Sequence, residues 1–501
     1  MRHRFIVPSA AAAVLLLAIP ASAAGPTPGA PGIGDPYYPE AGNGGYSVSH
    51  YDLRLKYQPK TDRLEGTATL LATTTQDLSR FNLDFLLDVS EVLVNGKKAA
   101  VGRSGTHELE ITPQTPLEKG KSISVVVRYS GTPSQVKVNG FTGWTRTPDG
   151  AVAAQEPEGA AWWFPSNDHP RDKATYDISV SVPDDVQAIS NGVLASKTSR
   201  FGWTRYNWRS TKPQASYLTT LAIGKFDITE DRTAGGLPVI SAYSKDLGDN
   251  YAPAKASIER TAEIVDWESS VFGPYPFTAL GGYVPNVNSH YALETQTRPF
   301  YSPAQFANGA NTSVVVHELA HQWFGDYVSV NNWRDIWLNE GFATYAQWLW
   351  SEKEGEGTAQ QLADYVYSQP ADSPFWKVKP GDPGADRQFD GAVYNRGAAA
   401  IQALRTTVGD QAFFTILKQW PEQHRYGNAS IEDFVAFAEK VSGKKLGALF
   451  DTWLFTTAKP AVGPGGAQAA GSRAHGLAAP VVKEPKSWKK IQSALAGHHG
   501  H

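Results

Sequence analysis

Two hydrophobic rhythms divide the chain. In Tyr51-Asp52-Leu53-Arg54-Leu55-Lys56-Tyr57 apolar residues alternate strictly with charged ones, and Tyr176, Ile178, Val180 and Val182 repeat the pattern. A period of two sets every apolar side chain on one face of a strand. Asn95-Gly96, Asn139-Gly140 and Asn191-Gly192 lie among these runs; Asn-Gly suits a type I′ hairpin, whose two central residues take positive φ. Residues 46–235 are therefore expected to form an N-terminal antiparallel β domain. From about residue 250 the period lengthens. Ile258, Ala262 and Val265, then the apolar positions of 312–324 and 334–350, follow helical spacing. A mainly helical domain is expected over 236–460, so the fold class reads as multidomain α+β.

The flanks differ in composition. Arg2 and Arg4 precede an apolar run from Phe5 to Ile19 and then Ala21-Ser22-Ala23, the build of a secretory signal over 1–23. The run is too short for a membrane span, and no later stretch is long enough, so a secreted chain without stable membrane insertion is expected. Residues 24–45, rich in Pro, Gly and Ala, read as a flexible lead-in, and 461–501 as a low-complexity disordered tail. No internal repeat is visible.

Composition narrows the chemistry. The 501 residues include no Cys, and the single Met is the initiator. Disulfides, thiolate nucleophiles and Cys-based metal sites are excluded, so any metal must sit on His and carboxylates. With 46 Lys and Arg against 49 Asp and Glu, the balance offers no footprint for nucleic acid.

One stretch carries the chemistry: His317-Glu318-Leu319-Ala320-His321. Two His four apart on a helix project from one face, so both imidazoles reach a single Zn²⁺ while Glu318 points toward the metal's open side. Glu340 follows 19 residues after His321, in a second helical pattern spaced for a helical hairpin, and supplies a candidate third ligand. Two imidazoles and one carboxylate leave a coordination position open, the catalytic arrangement of zinc. The bland alternative is a surface helix whose His and Glu are merely solvated.

HELAHQWFGD followed by WLNEGFATY resembles the gluzincin aminopeptidases, the relatives of aminopeptidase N. Phe164-Pro165-Ser166-Asn167-Asp168-His169-Pro170 with Lys173-Ala174-Thr175-Tyr176, and Phe272-Gly273-Pro274-Tyr275-Pro276-Phe277, resemble further segments of that family. The similarity runs from about 46 to 460. It implies a saddle-shaped N-terminal β domain, a thermolysin-like catalytic domain, and one zinc ion held by His317, His321 and Glu340 with Glu318 as general base. By the same resemblance Tyr394, in Val393-Tyr394-Asn395-Arg396-Gly397, donates to the oxyanion, and Glu294 and Glu156 grip the substrate's free amine. Three departures stand out: Arg396 replaces a Lys, Tyr291 replaces a Gly, and Thr295 replaces an Asn.

The expected activity is removal of N-terminal residues from peptides by a monomeric secreted zinc metallopeptidase. An endopeptidase of the same fold, a related epoxide hydrolase and a non-catalytic zinc-containing peptide-binding module are the alternatives. Asn311-Thr312-Ser313 matches a glycosylation sequon, but Asn311 directly precedes the zinc helix and reads better as its N-cap.

Overall fold

Strict alternation builds the largest sheet. In the computed structural model, which describes residues 25–466 and 482–495, the strands are β1 (Tyr46–Gln58), β2 (Arg63–Thr74), β3 (Leu78–Asp84), β4 (Asp88–Val94), β5 (Glu108–Thr112), β6 (Ser122–Gly131), β7 (Ala174–Pro183), β8 (Val193–Arg200) and β9 (Trp203–Gln214). The expected leader and the tail segments 467–481 and 496–501 lie outside the described residues. An eight-stranded sheet runs β8-β9-β7-β1-β2-β6-β4 and ends on Lys97–Lys98. Tyr51, Leu53, Leu55 and Tyr57 of β1 are buried while Arg54 and Lys56 face water, as a period of two requires. The sheet is mixed rather than purely antiparallel: β7 runs parallel to β1, with Ile178 opposite Leu53. β3 and β5 pair in a second, smaller sheet.

Two of the three Asn-Gly pairs adopt the expected turn, with positive φ at Asn95 and Gly96 and at Asn139 and Gly140. At Asn191-Gly192 only Gly192 has positive φ. Asn191 is instead buried, donating from Nδ2 to the Leu218 and Gln296 carbonyls, each at 2.8 Å, and accepting from Thr220 N at 2.8 Å. Its amide ties the β domain to the segment that carries Glu294.

The second domain begins with a five-stranded sheet whose first strands are Phe226–Arg232 and Pro238–Ser244, so it starts ahead of the expected boundary at 236. Helices then dominate. Four of them shape the site: α1 (Thr312–Ala320), α2 (Trp337–Lys353), α3 (Gly391–Val408) and α4 (Trp488–Leu495).

Two flanking expectations are corrected. The lead-in is not loose: Asp35 is buried, and its carboxylate accepts from Trp333 N at 2.8 Å and contacts His169 Nε2 at 3.1 Å. Nor is the tail without structure, because α4 packs on α1 with Ile491 fully buried. Both were missed because their anchors lie far away along the chain, where local composition carries no information.

Candidate active site

The zinc-binding candidates converge through the packing of three helices. Asn311 caps α1, accepting from Ser313 N at 3.1 Å, and α1 carries His317 and Glu318 with His321 at its C-cap. α2 brings Glu340 alongside. α2 and α3 approach closely because small residues face Trp337: the indole Nε1 donates to the Gly397 carbonyl at 3.1 Å. A Cβ on Gly341 would lie 2.5 Å from that ring, and one on Gly397 2.6 Å from it. This contact sets Tyr394, one turn before Gly397, beside the metal-binding residues.

His317 Nε2 lies 3.1 Å and His321 Nε2 3.5 Å from the same oxygen, Glu340 Oε2. The two imidazole centroids are 4.8 Å apart. Each opposite ring nitrogen faces a carbonyl oxygen: His317 Nδ1 meets Gln347 Oε1 at 3.1 Å, and His321 Nδ1 meets the Phe324 carbonyl at 2.9 Å. Nδ1–H donation to those acceptors makes Nε2, the nitrogen turned toward Glu340, the one that each ring offers to a metal. Gln347 is itself fixed, donating to Ser313 O at 3.0 Å and Ser313 Oγ at 2.9 Å. The residues fit zinc: three converging donors in tautomers set by their neighbours, and a buried Glu318 Oε1 with no hydrogen-bond partner among the described residues.

Glu294 joins this cluster. One of its carboxylate oxygens lies within 4.8 Å of ligand atoms of both Glu318 and His321. Its Oε1 accepts from the Tyr217 hydroxyl at 3.0 Å, while Gln322 Nε2 holds its backbone carbonyl at 3.1 Å. Glu156 comes from the β domain and is 8% exposed. Beside it opens a cavity of about 330 Å³ lined by Tyr38, Phe141, Pro157, Glu158 and the turn 385–390.

The site is strongly electronegative. Burial pushes the carboxyl groups of Glu318, Glu156 and Glu294 up, and mutual repulsion adds to the effect; His321 opposes it. Glu340 goes the other way: burial would raise it, but the charge of His321 and the contacts to both imidazoles hold it well below the usual range. Four carboxylates with two imidazoles between them call for added cationic charge. Tyr394 is buried and stacks on His317, with centroids 5.9 Å apart. Burial, then Glu340, raises its hydroxyl well above 10, so it remains a proton-bearing donor.

The departures from the family pattern acquire positions. Arg396 donates to the carbonyls of Trp453, Trp376 and Val378, at 2.8, 2.9 and 2.9 Å, and anchors α3 from behind. The Tyr291 hydroxyl donates to the Ala154 carbonyl at 2.9 Å. Thr295 Oγ1 donates to Arg298 O at 2.7 Å. Sequence reasoning missed Gln347, although it lies two helical turns after Glu340 on the same face of α2, and Tyr217, which no local pattern marks.

Residues 47–218 match the Peptidase M1 N-terminal domain and residues 298–453 the Peptidase family M1 domain. The chain is 29% identical to Aminopeptidase M1 of Arabidopsis thaliana over 453 residues, and 26% identical to human glutamyl aminopeptidase over 446. These matches take in 82% and 81% of the chain, but only 50% and 46% of the relatives, so it spans about half their length. It superposes on the M1 zinc metallopeptidase of Deinococcus radiodurans with a TM-score of 0.77 and 29% identity, covering 86% of this chain and 98% of that one. A two-domain M1 zinc metallopeptidase mutant bound to L-arginine is 30% identical, with a TM-score of 0.76 and coverage of 86% and 98%. With both domains matched in order and the zinc-binding triad assembled between α1 and α2, the chain belongs to peptidase family M1.

Proposed function

We propose that the protein is a secreted zinc aminopeptidase that removes the first residue of peptides. The observation that carries this reading is the placement of Glu294 against Glu318 and His321. A carboxylate there sets negative charge beside the metal-binding residues, which suits a free ammonium better than a continuing chain. Glu156 adds a second acceptor for the same group, and the cavity beside it takes the first side chain. Secretion rests on the leader-like sequence of residues 1–23.

Zinc bound by His317, His321 and Glu340 supplies Lewis-acid polarisation of the scissile carbonyl and lowers the pKa of the attacking water. Glu318 then takes the proton as the water oxygen bonds to the carbonyl carbon. It returns that proton to the amide nitrogen as the C–N bond breaks, so proton and leaving group balance. Tyr394 donates a hydrogen bond to the oxygen on which negative charge develops. Burial favours the role of Tyr394, because a hydroxyl whose pKa is raised keeps the proton it donates.

The direct test is Glu318→Gln in the full chain. Zinc content should be retained while turnover of an aminoacyl amide falls by several orders of magnitude; near-normal turnover in a zinc-loaded variant would refute the mechanism. A paired measurement with free and N-acetylated peptides separates exopeptidase from endopeptidase. Equal cleavage of both would show that Glu294 and Glu156 bind no ammonium.

A further inference from the structure

The register of β3 against β5 sets Asp84 directly opposite Glu108. Both are buried, 1% and 2% exposed. Like charges facing one another across paired strands are destabilising, and the more so away from water. His107 reaches into the same space: its Nε2 lies 3.1 Å from Asp84 Oδ1, 3.8 Å from Glu108 Oε1 and 3.2 Å from the Glu40 carbonyl oxygen. The outward oxygens are fixed by donors. Asp84 Oδ2 accepts from Asn43 Nδ2 at 3.1 Å and Asp168 N at 2.7 Å, and Glu108 Oε2 accepts from Asn82 Nδ2 at 2.9 Å. Glu108 Oε1, by contrast, is buried without a hydrogen-bond partner among the described residues, and it lies within 4.8 Å of the other two ligand atoms.

We propose that Asp84, His107 and Glu108, with the Glu40 carbonyl, bind a divalent transition-metal ion in the N-terminal domain, at a site separate from the catalytic triad. The separations suit such an ion, since donors at about 2.1 Å from a tetrahedral centre stand roughly 3.4 Å apart. Two carboxylates, a carbonyl and one imidazole match the preferences of Zn²⁺ or Mn²⁺. The fixed outer oxygens orient the ligands as supporting hydrogen bonds do in known metal sites.

A protonated His107 is the competing source of positive charge. It pairs with Asp84 at 3.1 Å and stands farther, at 3.8 Å, from Glu108 Oε1, so that a single positive charge faces two buried carboxylates. A divalent ion compensates these groups together. It would also join the lead-in at Glu40 to both strands and, through Asp84, to Asp168.

The test uses the full chain with His317→Ala and His321→Ala, which removes the catalytic ligands, titrated with Zn²⁺ and separately with Mn²⁺. One tightly held equivalent after desalting and a rise of several degrees in Tm are expected. Both should vanish on adding Asp84→Asn, or His107→Ala at the milder, 11% exposed position. The inference is overturned if the double variant holds no metal and shows no Tm shift. It is equally overturned if the metal bound by the double variant survives His107→Ala in folded protein.

Discussion

The Tyr291 hydroxyl donates to the Ala154 carbonyl at 2.9 Å, tying the segment that carries Glu294 to the one that carries Glu156. The ring also packs on Phe300, with centroids 5.3 Å apart. The bulk of Tyr291, conspicuous in sequence where the family has Gly, thus bridges the two candidate amine-binding loops. Tyr291→Phe keeps the packing and removes the hydroxyl that bonds Ala154, a change of about 1 kcal/mol. We expect kcat/KM for free-amine substrates to fall about five-fold, chiefly through KM. Unchanged KM would show that the two loops hold their spacing without this bond.

Gln347 meets His317 Nδ1 at 3.1 Å and is held by Ser313. Replacing it with Leu removes the acceptor that fixes the tautomer of His317 and leaves the Ser313 carbonyl without its amide donor. Loss of an outer partner of a metal-binding His weakens metal affinity about 10–100-fold. Competition against a zinc chelator should reveal that loss in folded Gln347→Leu, with Gln347→Glu recovering part of it. Wild-type affinity in the Leu variant would mean that packing alone orients the imidazole.

What the sequence made legible follows the range of the interactions involved. The alternation at Tyr51–Tyr57 and the His317/His321 spacing are local periodicities, and they appear as a half-buried strand and a metal-facing helix. Glu340 could be placed because α2 follows α1 closely. Asp35 could not be placed, because its partners His169 and Trp333 lie 134 and 298 residues away. In sequence Arg396 shows only as a departure, an Arg where the family has Lys. Only the fold shows it serving backbone carbonyls from two separate segments, 376–378 and 452–456, a task for which a planar guanidinium with five donors is suited and an ammonium is not.

The Asp35–His169 contact makes attachment of the lead-in sensitive to acid. His169 Nδ1 accepts from Arg171 N at 3.1 Å, which leaves Nε2–H to donate to Asp35 and describes a neutral ring. Burial lowers the His169 pKa and outweighs the attraction of Asp35. Asp35 is lowered too: burial would raise it, but the hydrogen bonds from His169, Trp333 and Tyr37 prevail. Both groups therefore bind protons more readily in the unfolded state, so stability is present at neutral pH and is lost on acidification. For His169 the loss starts near 6.5, and Asp35 adds to it below about 4. Limited proteolysis across pH 7.5 to 5 should show cleavage within 25–45 rising as pH falls. A flat profile would mean that the imidazole is already charged in the native state.

The helix α4 has only eight residues, too few to be stable alone, so its side-chain contacts must hold it. Ile491 and Leu495 are buried, and Asn311 donates from Nδ2 to the Lys490 carbonyl at 3.3 Å and Ser493 Oγ at 3.2 Å. Gln492 Nε2 reaches Asn395 Oδ1 at 3.2 Å, next to Tyr394. The helix thus touches both the cap of the zinc helix and the helix that presents Tyr394. Ile491→Ala deletes buried methyl and methylene groups at a cost of about 2–5 kcal/mol, more than an eight-residue helix can absorb and stay docked. We expect the 482–495 segment to become protease-sensitive in this variant, with a lower Tm and a several-fold lower kcat. KM should change less, because Glu294 and Glu156 lie on other segments. If the segment is released while kcat stays at the wild-type value, α4 stabilises the domain without positioning Tyr394.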